Sequence, residues 1–443
     1  MDEVFQVSAR VEGYAMSESV DHSSALPQRP PSDDRTAWAG YWQTKGHHWR
    51  TEPEIDEERQ KYLAQRRTIP SDIEKGIYPF QDVKLSRADV EWLLAMHENG
   101  RGPVDYFDQS QVRREGIDLR GANLRQVDLS LLPLSRLHGG LGMQEWDSAT
   151  EEQRRAAAVC MEGANLWGTA LGEANLNGAR LAGAGMMEAY LENSLLFGAR
   201  LQGASLIRAN LKRALLREAH LERTDLSDVQ LAEARLQDVR LADEHHRGPQ
   251  LADVHWSDVN MSVANWSQVT MLGDENQARQ KKRNGMVKDG KTRLQEHQTA
   301  VRANRQLGMA LQAQGLNEDA ARFAYRAQVL QRKVFWQQRA LGKWLFSWFL
   351  SLLAGYGYKP ARSFLAYLLI IGMFMVVYYV LGSHLSWNEA LVISMTAFHG
   401  RGFFPGTFSP GDPLAFASAV EAFVGLIIEV TLIATLTQRF FGK

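Results

Sequence analysis

Residues 164–185 read ANLWGTALGEANLNGARLAGAG. A leucine stands at every fifth position of this stretch, and an alanine or threonine lies two positions before each leucine. A helix repeats its apolar residues about every 3.6 positions and a strand about every two, so a period of five indicates neither. The stretch instead predicts stacked short repeats, each of which turns one large and one small side chain inward.

The period of five extends well beyond this stretch. Between residues 166 and 271, 21 of the 22 positions spaced by five carry Leu, Met or Trp, and His246 is the exception. An earlier block has the same spacing, at Leu119, Leu124, Leu129 and Leu134. An insertion at about residues 137–161, with a helical stretch from Ala149 to Val159, separates the two blocks. Repeats this short cannot each bury a core, so their stacking predicts a solenoid.

The repeat unit, seen in Ala164-Asn165-Leu166 and Ala209-Asn210-Leu211, resembles the pentapeptide-repeat family over about residues 117–272. The resemblance implies a β-solenoid, a right-handed quadrilateral β-helix with four repeats per coil. Some soluble members imitate DNA with an acidic rod, but residues 162–272 hold 14 acidic and 10 basic residues. A surface of such mixed charge is a poor mimic of DNA, so we expect no nucleic-acid partner. The rod either senses or binds an unidentified protein or ligand, or acts as a spacer.

Length and composition limit the number of domains, the disulfides and the partners that can be expected. A chain of 443 residues is too long for one compact core, and its formal net charge of -1 gives no electrostatic hint of a polyanion partner. Cys160 is the single cysteine, so no intrachain disulfide is expected. No nucleophile–base pair, metal cluster or phosphate loop is recognisable in the sequence. We therefore expect neither enzymatic activity nor a cofactor.

The segments around the repeats predict a tail, a cap and a connector. Residues 1–35 are rich in Pro, Ser and Asp and predict a disordered tail. Residues 36–116 predict a small, mainly helical cap, in which Ser86 and Asp89 form the N-terminal cap of one helix. Four tryptophans of this region predict a small core: Trp38, Trp42, Trp49 and Trp92.

The connector, residues 280–353, is helical by pattern. It starts with a basic run, Lys281-Lys282-Arg283, which either contacts anionic lipid or is a solvated linker. It ends with a Trp-rich helix that carries basic residues, up to about Leu352. Such a helix lies along the lipid headgroups or, alternatively, packs in a core.

Two apolar runs near the C-terminus predict membrane-spanning helices. Phe364 to Gly382 is a run of 19 residues without a charge, and Leu414 to Thr437 is interrupted by Glu421 and Glu429. Lysine and arginine precede the first run and follow the second, so the positive-inside rule predicts that both termini are cytoplasmic.

The loop between the two runs is too apolar for a solvated connection. Residues 387–398 predict a short helix of about three turns, which His399, Gly400, Arg401, Gly402 and Phe403 follow directly. Non-helical backbone at membrane depth survives only where protein buries it or where it lines a wet cavity. Glycines allow consecutive carbonyls to point at a central axis. These features predict a re-entrant loop.

The chain continues with a membrane span, a short helix, a Gly-x-Gly sequence and a second span, which contains EAFVGL at residues 421–426. This order of segments resembles the two-transmembrane potassium-channel-like pore family over about residues 360–443. The lead-in YGYKP at residues 356–360 resembles that of bacterial pentapeptide-repeat proteins that carry such a pore. The resemblance implies a homotetramer in the bacterial plasma membrane. It implies a selectivity filter made of His399, Gly400, Arg401, Gly402 and Phe403. It assigns Glu389, Ser394, Thr396 and Phe398 to the pore helix, and Glu421, Gly425 and Glu429 to the inner helix, with Gly425 as the hinge.

The filter departs from the potassium pattern. Phe398, Arg401 and Phe403 stand where that pattern has Thr, Tyr and Asp. Four arginines facing the axis would repel dehydrated K⁺, which leaves weakly selective, anion-permeant or tightly gated behaviour open. A monovalent cation is the first expectation for the permeant ion. Arg401 alternatively points behind the filter and pairs with Glu389 or Glu421.

Three further side chains have alternative roles. Glu421 braces the pore helix or pairs with Arg401, while Glu429 lines the inner cavity or is a satisfied buried carboxylate. His399 titrates as a gate or is packed. The sequence thus predicts an oligomeric ion channel, with a membrane-anchored repeat scaffold without conduction as the alternative.

Overall fold

The computed structural model describes residues 29–31, 34–244, 247–283, 285–382, 385–400 and 411–440. Most of the predicted disordered tail, residues 1–35, lies outside these ranges. The chain divides into two compact units, Met1–Glu54 and Ile55–Lys443.

The first unit contains helix α1 (Arg35–Thr44), which begins where the Asp34 side chain accepts a hydrogen bond from Ala37 N. Trp38 and Trp42 are buried, with ring centroids 5.6 Å apart. The Arg50 guanidinium lies 3.5 Å from the centroid of the Trp42 ring. These contacts make a small aromatic core. Trp92, predicted to share this core, belongs to the second unit instead.

The second unit begins with α2 (Glu57–Arg67) and α3 (Arg87–Ala95), followed by short 3₁₀ turns at His97–Gly100 and Gln109–Gln111. Ser86 and Asp89 form a capping box at the start of α3, as predicted. The Asp89 carboxylate also accepts from Arg59 Nε at 2.9 Å. In the first parallel bridge of the β-helix, Lys84 pairs with Asn123. Lys84 lies just before α3, so the solenoid starts within the predicted cap, residues 36–116.

Parallel bridges join residues that are twenty apart, from Cys160↔Arg180 to His220↔Arg240. Four five-residue repeats therefore complete one coil. The large and small positions of the repeat both face the interior, because Leu166, Leu171, Ala174 and Ala179 are 0% exposed. The predicted β-helix with four repeats per coil is confirmed.

The coil is interrupted at two places. Asn123 pairs with Cys160, 37 residues later, so 17 residues are inserted, and they contain α4 (Met143–Ser148) and α5 (Glu151–Ala157). The helix predicted up to Val159 ends earlier, because Val159 N already donates to Gly139 O in the coil. Trp146 of α4 packs over a corner of the coil at Gly198, where a Cβ atom would lie 2.6 Å from its ring.

The second interruption explains the break at His246. Asp225 pairs with Gln250 and Gln230 with His255, a separation of 25 residues instead of twenty. Five residues, one repeat length, are therefore inserted. The period of five resumes in the same register because the insertion is as long as one repeat.

Helices close the C-terminal end of the β-helix. After 3₁₀ turns at Met261–Val263 and Trp266–Gln268 come α6 (Gly273–Arg279), strands β1 (Lys282–Arg283) and β2 (Met286–Val287), and helices α7 (Gly290–Ala313) and α8 (Asn317–Gln337). Gln314, which directly follows α7, accepts from Met261 N at 2.7 Å and donates to Val259 O at 2.6 Å. Gln306 accepts from Asp253 N at 2.9 Å and donates to its carboxylate at 3.0 Å. These side chains pair with backbone groups that the last coil leaves open.

The connector does not start as a helix. Lys282 and Arg283 lie on β1, which pairs with β2 in an antiparallel hairpin. Gly285 has φ +81° in the turn, a conformation that glycine adopts at little cost. The basic run thus sits on an exposed hairpin strand.

The C-terminal region is helical. It consists of α9 (Leu341–Ala354), a 3₁₀ turn at Gly355–Gly357, α10 (Pro360–Leu381), α11 (Trp387–Phe398) and α12 (Pro413–Phe440). Ala361–Leu381 and Pro413–Thr437 are long and apolar enough to cross a membrane, and only 17% and 22% of their most apolar stretches are buried. Core helices of a soluble protein would be mostly buried. Helix α9 also exposes large apolar side chains, at Leu345, Phe346, Trp348 and Leu352.

The packing inside the coils predicts the effect of Leu206→Ala. Leu206 is 1% exposed and its truncation leaves a cavity that the fixed coil cannot close. We expect a loss of about 2–5 kcal/mol in unfolding free energy, measured by denaturant or thermal unfolding of the full chain in detergent. Ile207→Ala, at the neighbouring partly exposed position, is the control and should cost about 1 kcal/mol or less. An equal loss of unfolding free energy in both variants would contradict the assignment of the leucine position to the interior of the coil.

Asp274 of α6 is buried at the junction of the β-helix with the connector, and its Oδ2 accepts from Leu251 N at 2.8 Å. Burial raises the pKa of Asp274 from 3.8 to about 7, and the nearby Asp225 carboxylate acts in the same direction. The folded state thus holds this proton more tightly than the unfolded state. The corresponding stability is complete below pH 4 and is lost as the pH rises to about 7.

This linkage predicts the behaviour of Asp274→Asn. The parent should lose up to about 4 kcal/mol of unfolding free energy from this group between pH 4 and pH 8, and the variant should lose none of it. The difference in melting temperature between variant and parent should therefore grow with pH. A constant difference across that range would show that the carboxyl does not titrate there.

Candidate functional site

Helix α11 lies between the two long apolar helices and packs on both. Towards its start, Ala390 and Ile393 pack with Phe374 and Tyr378 of α10 and Leu414 of α12. At its end, Phe398 packs with Ile371, Ile428 and Leu353 of α9. Its 12 residues span about 18 Å, which is less than the roughly 30 Å of a hydrocarbon core. Helix α11 is thus a short element held by two long ones.

Glu421 on α12 joins the three helices. Its carboxyl group is 0% exposed, Tyr378 Oη of α10 donates to Oε2 at 2.7 Å, and Ser394 Oγ of α11 lies 2.5 Å from Oε1. Ser394 Oγ also lies 2.9 Å from the carbonyl oxygen of Ile371. A serine has one hydroxyl hydrogen, so both contacts are complete when a protonated Glu421 donates to Ser394 and Ser394 donates to Ile371.

Gly425 lies one turn further along α12, against the end of α11. A Cβ atom on Gly425 would lie 2.1 Å from the Phe398 carbonyl oxygen. The backbone of α11 therefore approaches α12 at a distance that any side chain would prevent. The resemblance implies a hinge at Gly425, and the structure gives this glycine a packing role.

His399 and Gly400 end the described part of the loop. His399 Nδ1 lies 2.7 Å from the Met395 carbonyl oxygen, and Nε2 lies 3.3 Å from Glu429 Oε1. Glu429 is neither fully buried nor isolated, because its side chain is 30% exposed and faces this imidazole. Gly400 has φ +68°, a left-handed conformation that glycine adopts at little cost, just after the end of α11.

The remaining pore-helix residues have local roles. Glu389 Oε2 accepts from Ser386 N and Ser386 Oγ, both at 2.8 Å, and so caps α11. Thr396 Oγ1 bonds back to Val392 O at 2.8 Å. Arg401, Gly402 and Phe403 lie outside the described residues, and with them the predicted pairing of Arg401 with Glu389 or Glu421.

Sequence reasoning missed Tyr378. Its hydroxyl is the α10 partner of Glu421, 43 residues away in the chain. The one available signal was the hydroxyl group of Tyr378, a polar group inside the first apolar run. The carboxyl group of Glu421, in the second run, needed a polar partner of this kind.

The repeat region has been compared with known proteins. The family model described as pentapeptide repeats matches eight copies, over residues 160–196, 174–213, 194–231 and 209–243. Residues 160–243 are pentapeptide repeats. The match ends there and does not extend to the helical C-terminal region.

Solved structures of pentapeptide-repeat proteins are similar to part of the chain. One from the cyanobacterium Cyanothece 51142 has 23% identity and a TM-score of 0.22, over 34% of this chain and 90% of its own. One from the thylakoid lumen of Arabidopsis thaliana has 21% identity and a TM-score of 0.20, over 26% and 72%. QnrB1, a plasmid-mediated fluoroquinolone resistance protein, has 14% identity and a TM-score of 0.17, over 36% and 83%. The comparison with curated proteins gives no match.

The contact between α11 and α12 predicts that Gly425→Ala is destabilising. The added methyl group meets backbone rather than a flexible side chain, so α11 must move, at a cost of about 1–3 kcal/mol. Gly372→Ala in α10 is the matched control, since its Cβ atom would meet nothing within 4 Å. Thermal unfolding in detergent should show a lowered melting temperature for Gly425→Ala and an unchanged one for Gly372→Ala. An unchanged Gly425→Ala variant would show that the two backbones are further apart.

Proposed function

We propose that the chain is one subunit of an ion channel in the bacterial plasma membrane, in which four copies surround one pore. Helices α10 and α12 span the membrane, and α11 with the loop after it enters from one side and returns. The pentapeptide repeats and both termini lie in the cytoplasm. The repeats sense or bind an unidentified partner or act as a spacer, and the protein is not an enzyme.

The observation that carries the proposal is the short helix between two long apolar ones. Helix α11 packs on both neighbours along its length, yet it is too short to cross the hydrocarbon layer. The chain after Phe398 must therefore turn back within the membrane. Backbone in that position needs protein or water around it, which a pore between subunits supplies.

The polar contacts of α11 support the same function. Glu421 and Ser394 hold the helix in one place, and Gly425 allows its end to approach α12 closely. His399 and Gly400 then emerge beside Glu429 of α12. A loop fixed in this way can present the same atoms in every subunit.

The exposed surface of the helices supports assembly in a bilayer. Large apolar side chains face outward on both long helices, for example Leu369 and Val380 on α10 and Phe416 and Phe423 on α12. Lipid or neighbouring subunits must cover them in a membrane. One copy cannot surround an axis, so the proposal requires an oligomer.

The filter residues set the expected selectivity. Arg401 between Gly400 and Gly402 brings one positive charge per subunit, which argues against potassium selectivity if the side chain faces the axis. A monovalent cation is still the first expectation, because Glu429 supplies one carboxylate per subunit near the end of α11.

The test is recording from purified full-length protein in planar bilayers. We expect discrete conductance steps, and a detergent-corrected particle mass near four times 49.9 kDa. Reversal potentials with substituted ions then separate cation from anion permeation. Arg401→Tyr should raise the preference for K⁺ by about tenfold or more if Arg401 faces the axis, which corresponds to about 1.4 kcal/mol.

Gly372→Ala is the control for recordings, because a Cβ atom at this position would meet nothing within 4 Å. A monomer that gives no conductance under any voltage or ion would exclude the channel and leave a membrane-anchored repeat scaffold. A conducting oligomer in which Arg401→Tyr leaves selectivity unchanged would retain the channel and place Arg401 away from the axis.

A further inference from the structure

Helix α9 turns its apolar side chains outward and its polar ones inward, the reverse of a helix in water. Leu345, Phe349 and Leu352 follow one another at spacings of four and three residues, so they share a face, and they are 56%, 41% and 61% exposed. Ser347 is only 7% exposed, and its Oγ lies 2.9 Å from Tyr356 Oη. An apolar face of this size indicates a partner that excludes water.

Helix α9 is fixed to the start of α10. Arg362, in the first turn of α10, donates to the Ser351 carbonyl oxygen at 3.1 Å, and Ser363 Oγ donates to the Leu353 carbonyl oxygen at 3.1 Å. The 14 residues of α9 span about 21 Å, which is too short to cross the hydrocarbon core. Because its end is bonded to the first turn of a helix that spans the membrane, α9 lies at the membrane boundary.

The segment around α9 is basic and contains no carboxyl side chain. Residues 320–388 include eight Lys or Arg and neither Asp nor Glu. Two of the eight, Arg322 and Arg326, pair with carboxylates outside this range. The other six form no ion pair with any residue that the structure describes: Arg332, Lys333, Arg339, Lys343, Lys359 and Arg362. Such an excess of positive charge beside a membrane span favours an anionic lipid surface.

The first turn of α9 has the same electrostatic preference. It carries no acidic residue and no side-chain cap, and Lys343 adds a positive charge at the positive end of the helix dipole. Arg339, which is exposed, lies just before this turn. An anion here would offset both charges and accept from backbone N–H groups that have no partner within the helix. An anionic phospholipid supplies that anion together with acyl chains for the apolar face.

We propose that α9 is a docking surface for anionic phospholipids. Leu345, Phe349 and Leu352 enter the acyl layer of one leaflet, while Arg339 and Lys343 bind the lipid phosphates. The inference rests on the part of the proposed function that places α10 and α12 in the membrane, and it does not depend on conduction.

The test is tryptophan quenching in the full chain, reconstituted into vesicles of dioleoylphosphatidylcholine. Trp348 of α9 is 49% exposed, so a lipid with brominated acyl chains that docks on α9 should quench its fluorescence. Brominated phosphatidylglycerol is compared with brominated phosphatidylcholine at the same mole fraction, and Trp348→Phe identifies the part of the quenching that comes from α9. We expect phosphatidylglycerol to be preferred by about fivefold or more, roughly the effect of one basic side chain near an anionic leaflet.

Variants of the basic residues locate the site. Arg339→Gln combined with Lys343→Gln should abolish the preference for phosphatidylglycerol and leave the quenching by phosphatidylcholine unchanged. Both side chains are exposed, so the double variant should fold like the parent. Lys282→Gln combined with Arg283→Gln is the matched control, because it removes two exposed charges from β1, and it should keep the preference. Glycerol 3-phosphate, a soluble headgroup without acyl chains, should not displace the lipid.

Equal quenching by the two lipids in the parent would reject the proposal. So would a preference that survives in the Arg339 and Lys343 double variant, or one that is lost in the β1 control instead. Displacement by glycerol 3-phosphate would show a site for free phosphate rather than for lipid. Release of the chain from the vesicles by alkaline carbonate would reject the membrane position of α10 and α12, and with it the channel. The first four results, in a chain that stays inserted, leave the channel intact.

Discussion

Main-chain hydrogen bonds between successive coils hold the β-helix together, for example from Leu166 N to Gly185 O and from Gly185 N to Ala164 O. Backbone N–H and C=O groups that face a neighbouring coil bond to it at regular intervals, while leucines such as Leu166 and Leu206 fill the interior. The ladder tolerates extra residues only as loops outside the coil. The 17-residue insertion with α4 and α5 is of this kind, and the bridges resume after the five-residue insertion before Gln250.

A ladder of this type leaves unpaired backbone groups at its two ends, and the neighbouring elements close both. At the N-terminal end Arg87 of α3 donates to the Ser130 carbonyl oxygen at 3.0 Å. At the C-terminal end the last turns are bonded by Gln306 of α7, Gln314 directly after α7 and Arg322 of α8. The connector is therefore bonded to the β-helix by specific side chains, and its helix α8 in turn contacts α9.

The same requirement, that buried polar groups have partners, organises the apolar C-terminal helices. Glu421, Ser394 and Tyr378 satisfy one another across three helices, and they hold the short helix between the two long ones. Glu421 was one of the residues that stood out in the sequence, because a carboxyl group within an apolar run must find a partner. Which partner it has depends on how α10 and α11 pack, and no local pattern contains that information.

The β-helix, the two apolar helices with a short helix between them, and the Ser86–Asp89 cap could all be predicted from the sequence, because each follows from a short period or a local hydrogen bond. The contacts between distant residues could not be predicted in this way. Examples are Gln314 with the last coil and Gly425 against Phe398. Such contacts depend on where an element ends and how its neighbour crosses it, which a repeating pattern leaves open.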